Sequence, residues 1–203
     1  MATAAPPRLR LGPADHGRPT TIDELLDADE EPGYRYELAR GVLEVTEVPG
    51  DPHGDIVFYF FQALAFYHRD HPGVIRRYGG SGEFRLWMIG MATGRNPDVA
   101  VVLAGTPKNV RGRRPPQLAI EVVSSGAEAH QRDYVAKRAE YLAFGLLEYW
   151  IVDPFARRIT VLLRDGAAWV ERAFDDGQIA EGLALPGFQV PVAEVWPAEA
   201  DEA

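Results

Sequence analysis

Two apolar runs of strand length, Pro97-Asp98-Val99-Ala100-Val101-Val102-Leu103 and Leu118-Ala119-Ile120-Glu121-Val122-Val123, each hold one carboxylate where an apolar residue would pack better. An ionised carboxylate in a core costs several kcal/mol unless a cation or hydrogen-bond donors receive it. The chain must therefore fold so that Asp98 and Glu121 are compensated, and a shared cation does this most simply. Period two puts Leu118, Ile120 and Val122 on one face of the second run and Ala119, Glu121 and Val123 on the other. Pro97 opens the first run as a strand start. As neighbours, the two strands stand their carboxylates side by side, with a divalent ion or a lysine between them.

The segment that follows offers the lysine. Ser124-Ser125-Gly126 reads as a turn, and a helix is predicted over about Ala129 to Phe144, closed by Gly145. Asp133, Lys137 and Tyr141 recur on it at i,i+4 spacing, on one face. Lys and Arg together number 21, of which only Lys108 and Lys137 are lysine. A chain that writes its surface cations as arginine has kept lysine here, and lysine is the compact cation whose pKa can shift. The plain alternative is a surface lysine paired with Asp133. Tyr149-Trp150-Ile151-Val152 then reads as a buried strand, with Trp150 in the core.

Pro97-Asp98 followed by Glu121-Val122-Val123 resembles the Pro-Asp…(Asp/Glu)-X-Lys core of the restriction-endonuclease-like nucleases, with Val123 where the usual lysine would be. More narrowly, the chain from about Thr20 onward is similar to the Uma-type endonucleases of bacteria. The resemblance runs through Tyr36-Glu37-Leu38, Ile120-Glu121-Val122, Asp133-Tyr134-Val135-Ala136-Lys137, Tyr141, Gly145, Glu148-Tyr149-Trp150 and Leu185-Pro186-Gly187. The order of these motifs is specific; no single one is. The resemblance implies an α/β fold with a restriction-endonuclease-like core, a mixed central sheet flanked by helices, and extra β-hairpins. It implies magnesium- or manganese-dependent hydrolysis of DNA, the metal held by Asp98, Glu121 and the Val122 carbonyl. Lys137, moved to the next helix, supplies the catalytic lysine, with Glu37 and His53 as further site residues. Two rivals stay open: a degenerate nuclease fold that only binds DNA or a protein partner, and hydrolysis of a smaller phosphoester. A homodimer is compatible with either.

Composition sets the limits. At 203 residues and 46% hydrophobic, the chain suits one domain, expected over 20–197, with a mobile tail at 1–19 and an acidic tail at 198–203. The absence of cysteine removes disulfides and thiolate chemistry and suits a reducing cytoplasm. There is no apolar run of membrane-spanning length and no P-loop, dinucleotide fingerprint or nucleophile elbow. A net charge of −9 argues against broad wrapping of nucleic acid but not against a local site. Lys108, Arg111, Arg113 and Arg114 form a basic loop between the carboxylate strands, and Arg76 and Arg77 a second cluster. These read as phosphate steering or as solvated loops.

Elsewhere the signals are structural. Thr21-Ile22-Asp23-Glu24 has capping-box spacing for a short helix to about Ala28. Tyr34 to Val48 alternates around Arg40-Gly41 as a hairpin. His53 to His71 is a helix stopped by Pro72-Gly73. Val74 to Ile89 reads as a bent hairpin around Gly79, Gly80 and Gly82, and Arg158–Leu163 with Trp169–Phe174 as a late one. On these signals alone, Glu37 belongs to the wet face of an alternating strand and His53 to a helix cap or surface.

Overall fold

The computed structural model describes residues 8–110 and 112–197. Arg111, the first residues of the expected N-terminal tail and the whole acidic tail at 198–203 lie outside the described residues. In chain order the elements are β1 (Arg10–Leu11), α1 (Ile22–Asp27), β2 (Asp29–Glu30), β3 (Tyr34–Ala39), β4 (Val42–Glu47), α2 (Asp51–Asp70), β5 (Ile75–Gly79), β6 (Leu86–Met88), β7 (Thr93–Arg95) and β8 (Val99–Leu103). They continue with β9 (Leu118–Val122), α3 (Ala127–Gln131), a π-helical turn (Arg132–Ala136), α4 (Lys137–Phe144), β10 (Glu148–Asp153), β11 (Arg158–Asp165), β12 (Ala168–Asp175), β13 (Ile179–Glu181) and β14 (Gln189–Pro191). The chain divides into two compact units, Met1–Val48 with Arg85–Asn96, and Pro49–Phe84 with Pro97–Ala203.

The smaller unit is built on an antiparallel sheet of order β4-β3-β7-β6. Its hairpin turns where expected: Arg40 and Gly41 both take positive φ, 50° and 81°, as a two-residue turn matched to strand twist requires. Leu11, Leu25, Tyr36, Leu38 and Leu43 form its core. The capping box on α1 is present in both directions, Thr21 N donating to Glu24 Oε2 at 2.7 Å and Glu24 N to Thr21 Oγ1 at 3.1 Å. The expected tail at 1–19 is ordered from Arg8: β1 pairs in parallel with β2, and Leu11 is buried and accepts a hydrogen bond from Tyr36 Oη. Leu9 and Leu11 pack on the core of this unit and their carbonyls accept from Asp29 and Glu31, which anchors the segment. The expected Val74–Ile89 hairpin does not form either. Its first half, β5, pairs with β8, and its second, β6, pairs with β7, because the glycine-rich turn at Gly79 and Gly80 ends one strand without returning the chain on it.

The larger unit carries a six-stranded mixed sheet of order β12-β11-β10-β9-β8-β5. β9 and β10 are parallel and every other pairing is antiparallel. A parallel pair needs a crossover, here α3, the π turn and α4, ended by Gly145 in the left-handed conformation at φ 99°. Leu118, Ile120 and Val122 pack with Ile56, Phe60, Leu64 and Tyr67 of α2 and with Trp150 and Val152, which fixes the opposite face of β9 as the one holding Glu121. Trp150 is fully buried, edge-on to Phe60, and donates to Glu148 at 2.6 Å. The late hairpin is β11 and β12, in full register from Arg158↔Asp175 to Asp165↔Ala168.

Candidate active site

Asp98 precedes β8 by one residue. The antiparallel register Val99↔Ile120, continued by one step, sets Asp98 opposite Glu121, where opposed side chains share a face. Asp98 is 3% exposed. Its Oδ2 accepts from the Val122 amide at 2.8 Å, and its Oδ1 lies 3.0 Å from His53 Nε2 in the first turn of α2. That last contact is one of proximity: both ring nitrogens of His53 are buried without a hydrogen bond.

Glu121 is 1% exposed, inside a strand buried at every position. Lys137, 4% exposed, brings Nζ to 2.9 Å from Glu121 Oε2 and 3.2 Å from Asp133 Oδ1. Tyr141 Oη donates to Glu121 Oε1 at 2.5 Å. Asp133 is also met by Arg132 at 3.4 Å, and its backbone carbonyl accepts from Tyr149 Oη at 3.0 Å. Burial first, then the charges of Asp133, Glu121 and Asp98, hold the Tyr149 phenol well above its ordinary pKa. A neutral phenol thus sits within the field of three acids, and one ammonium is shared between two of them.

Of the residues singled out from sequence, Asp98, Glu121, Val122, Lys137 and His53 come together in the larger unit. Glu37 belongs to the smaller unit. It is not on a wet face: it is buried, accepting from the Asn96 amide at 2.6 Å and from Arg95 Nη1 at 3.2 Å, and Arg95 also pairs with Glu44. Three contributors escaped selection. Asp133 and Tyr141 were visible as neighbours of Lys137 but carried no chemical signal beyond spacing, and Tyr149 read as one more aromatic of a buried strand. In the basic loop, Arg114 is bound to the Thr106 carbonyl and the Arg113 amide to Asn109, so part of that loop's polarity is spent on its own shape.

Among the described residues no three His, Asp or Glu side chains form a ready-made metal cage. The donor set is two carboxylates and one backbone carbonyl. The Val122 amide points at Asp98 and the Val123 amide at the Val152 carbonyl on the other edge. Since N–H and C=O of one residue share an edge in a strand, the Val122 carbonyl faces the Asp98 side. Oxygen donors in this small number fit magnesium, which keeps several waters and takes one or two carboxylates.

A solved structure shares this fold: a crystal structure titled as a putative nuclease belonging to DUF820 from Anabaena variabilis ATCC 29413, with a TM-score of 0.67 at 18% sequence identity, covering 87% of this chain and 97% of that one. The mixed sheet and its crossover are those of the restriction-endonuclease-like α/β class. Within that class the chain belongs to the Uma2 family, whose model, described as "Putative restriction endonuclease", matches residues 22–193. No curated protein matches the chain. No helix among the described residues is long and apolar enough to cross a membrane.

Proposed function

We propose that the protein is a metal-dependent nuclease that hydrolyses DNA phosphodiester bonds at the Asp98–Glu121 pair. The observation that carries this reading is the pair itself: two buried carboxylates, one just ahead of β8 and one on the adjacent β9, with Lys137 delivered to Glu121 from the crossover. The family's description supports it. Asp98, Glu121 and the Val122 carbonyl, three oxygen donors, would hold magnesium or manganese. That ion supplies Lewis-acid polarisation of the phosphate and an acidified bound water.

The chain's own residues do the rest. The Lys137 ammonium stabilises charge on the attacked phosphate and orients the nucleophile. Tyr141 fixes the rotamer of Glu121 from the side away from the lysine. The Val122 amide holds one oxygen of Asp98, and His53 lies beside the other.

The test is cleavage of supercoiled plasmid and of single-stranded oligonucleotide with magnesium, with manganese and with chelator, for the wild type, Asp98→Ala and Glu121→Gln. Metal-dependent cleavage lost in both folded variants, together with loss of magnesium binding by calorimetry in Asp98→Ala, is the expected result. A folded wild type that cuts no DNA in magnesium at low salt would replace this reading with that of a binding module. Undiminished metal affinity in Asp98→Ala would remove Asp98 from the metal site.

A further inference from the structure

The outer side of α2 is laid out as a palindrome. Ile56, Phe60, Leu64 and Tyr67 are its buried side. Asp55, Phe58, Gln62, Phe66 and Arg69 are exposed, the two phenylalanines at 60% and 57%. At 3.6 residues per turn, and measured from Gln62, Phe58 and Phe66 lie about 40° to either side, and Asp55 and Arg69 about 20°. All five therefore fall on a stripe roughly 80° wide. Each has a counterpart at equal sequence distance across Gln62: acid opposite base, ring opposite ring, amide opposite itself.

A two-fold axis at Gln62 maps such a stripe onto itself with every pairing favourable, which is what an isologous contact demands. We propose that α2 pairs antiparallel with α2 of a second copy of this chain, Asp55 meeting the second copy's Arg69 and Phe58 meeting its Phe66. Asp51 and Asp55 stand in the first turns of α2 and His68 and Arg69 in its last, ahead of Asp70 at its end, so antiparallel copies bring Asp55 to Arg69 and align their dipoles favourably. Arg69 is already turned toward the stripe, its guanidinium 5.2 Å from the Phe66 ring while it pairs with exposed Asp70 at 2.7 Å. One helical seam sits at or below about 1,200 Å² of buried surface, the lower end of specific interfaces, so the dimer is weak and concentration-dependent.

The pairing does not depend on the metal or the chemistry proposed above, and its test uses neither. Sedimentation over a wide concentration range should show a monomer–dimer equilibrium. Asp55→Arg and Arg69→Asp should each weaken it by about tenfold or more through like-charge contacts, and the double variant should recover most of that loss. Circular dichroism reports whether each variant is folded. Because the chain has no cysteine, Gln62→Cys places a single thiol at the axis. Mild oxidation should trap a disulfide dimer, and exposed Leu183→Cys should not trap one at that rate. A wild type that stays monomeric, a dimer indifferent to both single charge reversals, a double variant no tighter than the single ones, or equal trapping at Gln62 and Leu183 would each overturn the proposal.

Discussion

Replacing Lys137 by alanine should cost about 3 kcal/mol of folding stability near neutral pH, and replacing Glu121 as well should return most of it. Removing one partner of a buried ion pair costs about 3–5 kcal/mol, because the other charge stays buried. Two contacts put this site at the low end: Tyr141 still donates to Glu121, and Arg132 still stands beside Asp133. Protonation sets a ceiling. A carboxyl of ordinary pKa, about 4.3, can take a proton at pH 7 for about 3.7 kcal/mol, so Glu121 without its lysine costs no more than that. The sign follows from linkage. An orphaned buried carboxyl has its folded pKa raised, so the penalty is absent below the unfolded pKa and grows by about 1.4 kcal/mol per pH unit above it. Urea unfolding at several pH values, without divalent ions, measures this. The gap between wild type and Lys137→Ala should shrink as pH falls toward 4, and Lys137→Ala with Glu121→Gln should regain about 2 kcal/mol at pH 7. A loss below about 1 kcal/mol at pH 7, or one that does not change with pH, would refute the claim that this lysine neutralises the core carboxylates.

The Tyr149 phenol, raised by burial and by the acids around it, and the Tyr134 phenol, raised by burial and by Asp153, favour the folded state's protons at alkaline pH. Stability should hold below about pH 10 and fall above it, with part of the phenolate absorbance rising only together with loss of circular dichroism. Gly182→Ala would drive a methyl into the Glu148 carboxylate, which accepts from Trp150 Nε1 and from the Leu183 and Ala184 amides. A loss of about 2–3 kcal/mol in chemical denaturation is expected. In a nuclease assay, Lys137→Ala should lower turnover by about 10²- to 10³-fold, Lys137→Arg should not restore it, and Lys137→Ala with Val123→Lys should recover part, since Val123 shares the strand face of Glu121.

Legibility in the sequence followed physical range. Asp98 and Glu121 declared themselves because a charge in an apolar run is costly anywhere, and the face of β9 that carries Glu121 follows from period two alone. The α2 helix, the Arg40-Gly41 turn and the Gly145 stop were equally local, each set by a few adjacent residues. What pairs with β5 was not local: a glycine-rich bend between two strands is compatible with returning the chain or releasing it, and the partner strand β8 lies further along. Burial of Glu37 was hidden for a related reason. Its compensation comes from Arg95 and Asn96, more than fifty residues away, and an alternating strand with one acid looks the same whether that acid is wet or held.

The π turn was equally invisible, and it bears on how a helix replaces a strand lysine. In a continuous α-helix, residues four apart advance by about 40° beyond a full turn, so Asp133, Lys137 and Tyr141 would wind progressively off one face. A turn closed by i→i+5 bonds holds more residues, and four steps through it fall short of a full turn instead. Placed at Arg132–Ala136, so that it covers the step from Asp133 to Lys137, it reverses the first of the two drifts and brings the three side chains closer to one line. Two of them end on the two oxygens of Glu121 and the third holds the lysine from behind. A lysine on β9 itself would have come from a strand already fixed by the sheet. A lysine from the crossover needs its direction set by something else, and a local widening of the helix does this without changing where the helix begins or where Gly145 ends it.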